Sequence, residues 1–121
     1  ATSNEVIDAQ PNCVKVSLAA ISFKKNSVSF TNASRESMRQ NSLKIINSDC
    51  SSVQIFGYAS KDEAKKKQKS LASRRAKAVA DFVREQLEQN SIYIEVTSVG
   101  KGVIKKGKAA KNRKATATII N

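Results

Sequence analysis

Two cationic stretches stand out, "GYASKDEAKKKQKSLASRRAKAV" from Gly57 to Val79 and "KKGKAAKNRK" near the C-terminus. The first carries a hydroxyl at Ser60, a carboxylate at Asp62 and a guanidinium at Arg75. Arg75 abuts Ala76 on an apolar stripe, so its stem is expected near the core side with its fork lining a cleft, a placement suited to gripping a carboxylate. That is the chemistry of holding a ligand rather than transforming it. No histidine occurs among the 121 residues, which removes imidazole-based triads and the commonest metal ligand. Ser60 near Lys65 or Lys66 is the remaining catalytic arrangement, but small polar and basic residues coincide at helix starts too readily for it to carry an enzyme reading. The expectation is a non-catalytic protein with no metal and no cofactor.

Cys13 and Cys50 are too few for a zinc site and do not form a CxxC motif. They form a disulfide or remain as two buried thiols. A disulfide would stabilise the fold by roughly 3 to 4 kcal/mol on the chain-entropy model and would place the chain in an oxidising, extracytoplasmic compartment.

Lys and Arg number 22 against 10 Asp and Glu, a net charge of +12 that directs the chain toward polyanions. Nucleic acid, an acidic membrane surface and an anionic cell wall all fit the charge. The nucleic-acid alternative is weakened because Phe23, Phe30, Phe56, Tyr58, Phe82 and Tyr93 are the available aromatics and most occupy core-type positions. No apolar run is long enough to span a bilayer, so membrane contact is expected through parts outside this chain. The start at Ala1 without a signal peptide reads as a mature or trimmed fragment.

The elements that must position these residues follow from periodicity. Residues 1–12 read as an N-terminal tail or linker and 13–121 as one domain. "ISFKKNSVSF" predicts a strand with a bend or bulge at Lys24–Ser27, and Thr31, Asn32 or Ser34 caps a helix that carries Met38, Ser42, Ile45 and Ile46. "SVQIFGY" predicts a strand ended by Gly57. A long helix then begins at Ser60 or Asp62 and runs to about Gln89, with Ala72, Ala76, Val79, Ala80, Val83 and Leu87 on one stripe. "IYIEVTSV" predicts a strand, "GKGVIKKGKAAKNRK" a loop and "ATATII" a last strand. The βαβαββ order implies an α/β two-layer sandwich, a mixed four-stranded sheet with two main helices on one face. Helical crossovers should make parallel neighbours, and the last two strands an antiparallel pair.

"VQIFGYAS", "LASRRAKAVADFV", "VTSVGKG" and "NRKATATII" together resemble the OmpA-like peptidoglycan-binding domain, whose pattern runs roughly GHTD or GYTD, LSxxRAxxV, GxG and NRRVxI. The likeness covers about Ile21 to Asn121. It implies a bacterial cell-envelope module whose cleft at the strand ends holds the peptide stem of peptidoglycan, commonly at diaminopimelate. By that resemblance Arg75 grips the ligand carboxylate, Gln68 stands for the asparagine seven residues earlier, and Asn112 and Arg113 form the late pair. The acid that meets the ligand ammonium is replaced by Ser60. Ala72 stands for the family's serine after Leu71, and Lys24 and Lys25 for its Asp-rich segment. Losing a charge-assisted bond of roughly 1.5 to 3 kcal/mol could reduce affinity by about one to two decades. Asp62 could reach the same space from the first turn of the helix, or serve as a helix cap. The implied function is a stem-peptide binder in which diaminopimelate binding is weakened, altered or lost. The partner is peptidoglycan or another anionic cell-wall polymer, with a structural or partner-binding role as the alternative.

Overall fold

The computed structural model describes residues 12–121, so all but the last residue of the expected tail lies outside the described residues. The elements are β1 (Ile21–Ser22), α1 (Asn32–Asn47), β2 (Ser52–Ser60), a 3-10 turn (Lys65–Lys67), α2 (Gln68–Gln89), β3 (Glu95–Ile104), α3 (Ala109–Asn112) and β4 (Lys114–Ile119). They form one four-stranded sheet in the order β1-β4-β2-β3 with the two long helices on one face. The sheet is mixed, as the α/β pattern predicts: β2 and β3 run parallel, and β4 is antiparallel to both β1 and β2.

The long helix follows its stripe. Ala76, Val79, Ala80, Val83 and Leu87 are buried in one cluster with Val53 and Ile55 of β2 and Val96 of β3, and Ala72, also buried, lies against Gly57. In α1, Thr31 accepts a hydrogen bond from the Ser34 N–H at 3.0 Å as its N-cap, and Met38, Ser42 and Ile45 face inward.

Several boundaries differ from the periodicity. Gly57 lies inside β2, because the sheet and α2 approach so closely there that a Cβ would stand 1.9 Å from the Ala72 carbonyl oxygen. Gly100, its partner across the strands, meets Ser73 in the same way. The glycines thus mark a helix-on-sheet contact rather than a strand end and a loop, and β3 runs on to Ile104. Gly57→Ala is expected to cost about 2 to 3 kcal/mol through overpacking. A denaturant titration showing less than about 1 kcal/mol would mean that α2 yields easily at this contact.

The first strand is shorter than its alternation. After Phe23 donates to the Arg113 carbonyl, the chain turns at Lys24–Ser27, with Asn26 at φ 57°, a left-handed conformation that asparagine tolerates. The long helix begins at Gln68, with neither Ser60 nor Asp62 as its cap and no side-chain cap bond. Ser60 belongs to β2, and residues 61–64 form the turn between them. Finally, β4 is not a neighbour of β3. The connection from Lys105 to Arg113 passes over the end of β2 and inserts β4 on its other side, so β1 and β2 are separated by β4 as well.

Cys13 and Cys50 are joined, linking the segment before β1 to the residues after α1.

Candidate functional site

The crossing connection brings the two motif stretches together. Ser60 at the end of β2, Asp62 in the turn, Gln68 and Arg75 on α2, and Asn112 and Arg113 before β4 all lie at the carboxyl end of the parallel strands. Ser60, Asp62, Gln68 and Arg113 are tied together by hydrogen bonds, Arg75 joins them by way of Glu63, and Asn112 bonds within the crossing connection.

Arg75 is fully buried. Its Nε donates to the Ser27 carbonyl at 3.0 Å. Its Nη1 donates to the Tyr58 carbonyl at 3.0 Å and to Glu63 Oε1 at 2.8 Å, and its Nη2 donates to the Lys24 carbonyl at 3.2 Å and to Glu63 Oε2. These contacts use every N–H of the guanidinium. The expected cleft-lining fork is therefore an internal one. Its partner Glu63, which the sequence reading did not single out, is buried and also accepts from the backbone N–H groups of Ser60 at 2.8 Å and Asn26 at 2.7 Å. Burial alone would raise the Glu63 carboxyl, but the bonds from Arg75, Ser60 and Asn26 and the Arg75 charge overcome it and hold the pKa at about 2. The signal in the sequence was an acid three residues beyond the position where the family pattern places one.

The other residues close the same end. Gln68 Nε2 donates to the carbonyls of Ser60, Lys61 and Glu63, the last at 3.0 Å, and so ties the 60–63 turn to the helix start. Asn112 Nδ2 donates to the carbonyls of Ile104 and Lys106 and fixes the crossing loop. Asp62 accepts from the Ser60 hydroxyl and from Arg113 Nη1, at 3.2 and 3.3 Å. The Ser60 bond, then the Arg113 and Lys25 charges, outweigh desolvation and lower its carboxyl from the ordinary range. Asp62 thus neither caps the helix nor stands free to meet an ammonium. Arg113 retains unused capacity, because its Nε is buried without a hydrogen-bond partner among the described residues.

The electrostatics of this end are one-sided. Lys24, Lys25, Lys61, the Lys65–Lys69 run and the Lys105–Lys114 segment converge around two carboxylates that are already committed. The clefts lined by Leu87, Ile92 and Ile94, and by Val14, Val16 and Lys44, lie at the opposite end of the sheet. Among the described residues there is no group of three His, Cys, Asp or Glu suited to a metal ion.

Fold and site define a small two-layer α/β domain with its polar residues gathered outside the carboxyl ends of parallel strands, where open sheets commonly place ligand sites. The OmpA family model matches residues 22–118, and the chain belongs to that family. The OmpA-like domain of FopA1 from Francisella tularensis subsp. tularensis SCHU S4 is similar in structure, with a TM-score of 0.61 and 22% identity. The match covers 83% of this chain and 69% of that one. The peptidoglycan-associated lipoprotein from Burkholderia pseudomallei matches with a TM-score of 0.54 and 19% identity, covering 84% of this chain and 89% of that one. At these identities the likeness is one of fold. No curated protein sequence matches the chain.

Proposed function

We propose that residues 13–121 are a non-catalytic module of the bacterial cell envelope that docks its protein onto peptidoglycan by charge, with the arginine pocket closed to the stem peptide. The observation that carries this reading is the Arg75–Glu63 pair. The chain's own carboxylate occupies the arginine that the family pattern reserves for a ligand. A diaminopimelate carboxylate would have to displace Glu63 from four hydrogen bonds, and the ligand ammonium would meet Ser60 where an acid is expected. The lysines around this end remain free to attract an anionic polymer. The Cys13–Cys50 disulfide and membership of the OmpA family support an extracytoplasmic location. Likeness to a peptidoglycan-associated lipoprotein supports the polymer. Among the described residues no helix is long and apolar enough to cross a membrane.

The test is retention on purified, polymer-stripped peptidoglycan at low and high salt, beside an NMR titration with free diaminopimelate. Retention lost at high salt, with the Arg75 and Glu63 resonances unmoved by diaminopimelate, is the expected result. Salt-resistant retention with saturable shifts at Arg75 would show that the pocket opens and binds the stem. The double variant Ser60→Asp, Glu63→Ala is expected to gain diaminopimelate binding that the wild type lacks.

A further inference from the structure

Both long helices cover one face of the sheet, and the other face has no helical layer among the described residues. Along β2, Val53, Ile55, Gly57 and Ala59 turn toward the helices. Phe56 and Tyr58 therefore stand on the open face, half-buried, at the two-residue spacing that a strand gives to side chains of one side. The sequence pattern places most aromatics in the core, and these two depart from it because β2 is covered on one side only. Around them the sheet arranges polar groups. Thr116 pairs with Phe56 and Thr118 with Gln54 across the β2–β4 ladder. Lys101, at the β3 bulge, holds its ammonium 5.1 Å from the Phe56 ring centroid. Lys114 at the start of β4 holds its own 5.7 Å from that of Tyr58. The same strands lead directly into the cationic segment Lys105–Lys111.

We infer that this open face is a second binding surface, separate from the Arg75 site, for an anionic polysaccharide strand. Its sugar rings lie against Phe56 and Tyr58, and its carboxylates meet Lys101 and Lys114. Aromatic faces offer flat apolar area to the C–H faces of sugar rings, threonine hydroxyls and the Gln54 amide match sugar hydroxyls, and the ammonium groups supply charge complementarity. The lysines rest on the rings through weak, exchangeable cation–π contacts in the free protein, so an arriving carboxylate draws them off and uncovers the rings. A membrane surface fits less well, because the rings are half-buried, the exposed Val99 beside Phe56 is a short side chain, and the other neighbours are Gln54, Thr116, Thr118, Lys101 and Lys114. The disulfide favours a polymer outside the cytoplasm over nucleic acid. This inference deepens the envelope-polymer reading above and rests on it.

The experiment is an NMR titration of the oxidised domain with an oligogalacturonate of defined length. The comparators are a neutral chito-oligosaccharide of equal length, a polyphosphate of equal charge and an oligo-dT strand of equal length. Saturable shifts on the open-face residues of β2, β3 and β4 are expected. Affinity for the neutral sugar and for polyphosphate is expected to be about tenfold lower. Phe56→Leu and Tyr58→Leu, which keep apolar volume and remove the ring, should each weaken oligogalacturonate binding about tenfold with the fold intact. Polyphosphate binding as tightly as the uronate would overturn the inference by showing that charge alone acts. Tighter binding of oligo-dT would make the face a base-stacking platform, and shifts confined to the Lys105–Lys114 loop would move the contact off the face. If the oligosaccharide fails while peptidoglycan retention persists, the surface assignment alone falls. Failure of both removes the envelope-polymer reading.

Discussion

Glu63→Ala is expected to destabilise the domain by about 3 to 5 kcal/mol, because it leaves the Arg75 guanidinium buried without its counter-charge. For a chain of this size that lowers the thermal midpoint by on the order of 10 to 20 °C. Arg75→Ala should cost a similar amount, and the double variant should cost far less than the two losses added together, since the second deletion removes a charge that the first left stranded. An apolar pair, Glu63→Leu with Arg75→Met, should recover most of the stability. Calorimetry on the four variants reads this directly, and simple additivity would show that the pair does not act as a unit. The pH dependence follows with a definite sign. The folded-state pKa of Glu63, about 2, lies below its ordinary value of 4.5. The contribution is therefore complete above about pH 4.5 and is lost as pH falls toward 2, with a magnitude of about 3 kcal/mol. Acid titration of Glu63→Gln should show a much flatter loss over this window. A curve that parallels the wild type would assign the acid sensitivity to other carboxylates.

Removal of the disulfide is the second large effect. Cys13 and Cys50 stand 37 residues apart in sequence, and opening that loop in the unfolded chain costs roughly 3 to 4 kcal/mol of stability. The native tie is also local, because Val14 N–H donates to the Ser48 carbonyl at 2.9 Å and Cys50 is buried. Cys13→Ser with Cys50→Ser, followed by denaturant titration, should shift the midpoint strongly at nearly constant slope. A loss below about 1 kcal/mol would show that the segment before β1 is held mainly by its packing of Val16 and Leu18 against the core.

The first effect concerns what holds the candidate site in shape, whereas the disulfide fastens the opposite end of β2. The Arg75–Glu63 pair, with Glu63 supplied by the turn after β2, fastens the Lys24–Ser27 turn and the end of β2 onto α2 through carbonyls and N–H groups of both. Arg75, expected from the family pattern to grip a ligand carboxylate, is bonded to a carboxylate of the chain itself and serves as an internal fastening.

Much of this molecule was legible in the residue order. Local periodicity set the two long helices, since the α2 stripe and the α1 N-cap depend on neighbours three and four residues away. The family motifs in order set the fold, and the excess of lysine set the charge. Three features were decided only by the tertiary structure. Gly57 and Gly100 read as strand and loop punctuation, yet they are glycines because α2 lies against both strands, a contact between segments far apart in sequence. The position of β4 between β1 and β2 depends on where a nine-residue connection crosses the sheet, which no local pattern encodes. Glu63 falls, in the residue order, at the start of the expected long helix, with nothing local to single it out. It becomes the partner of Arg75 because β2, the 24–27 turn and α2 enclose both side chains together, where each buried charge is stable only in the presence of the other.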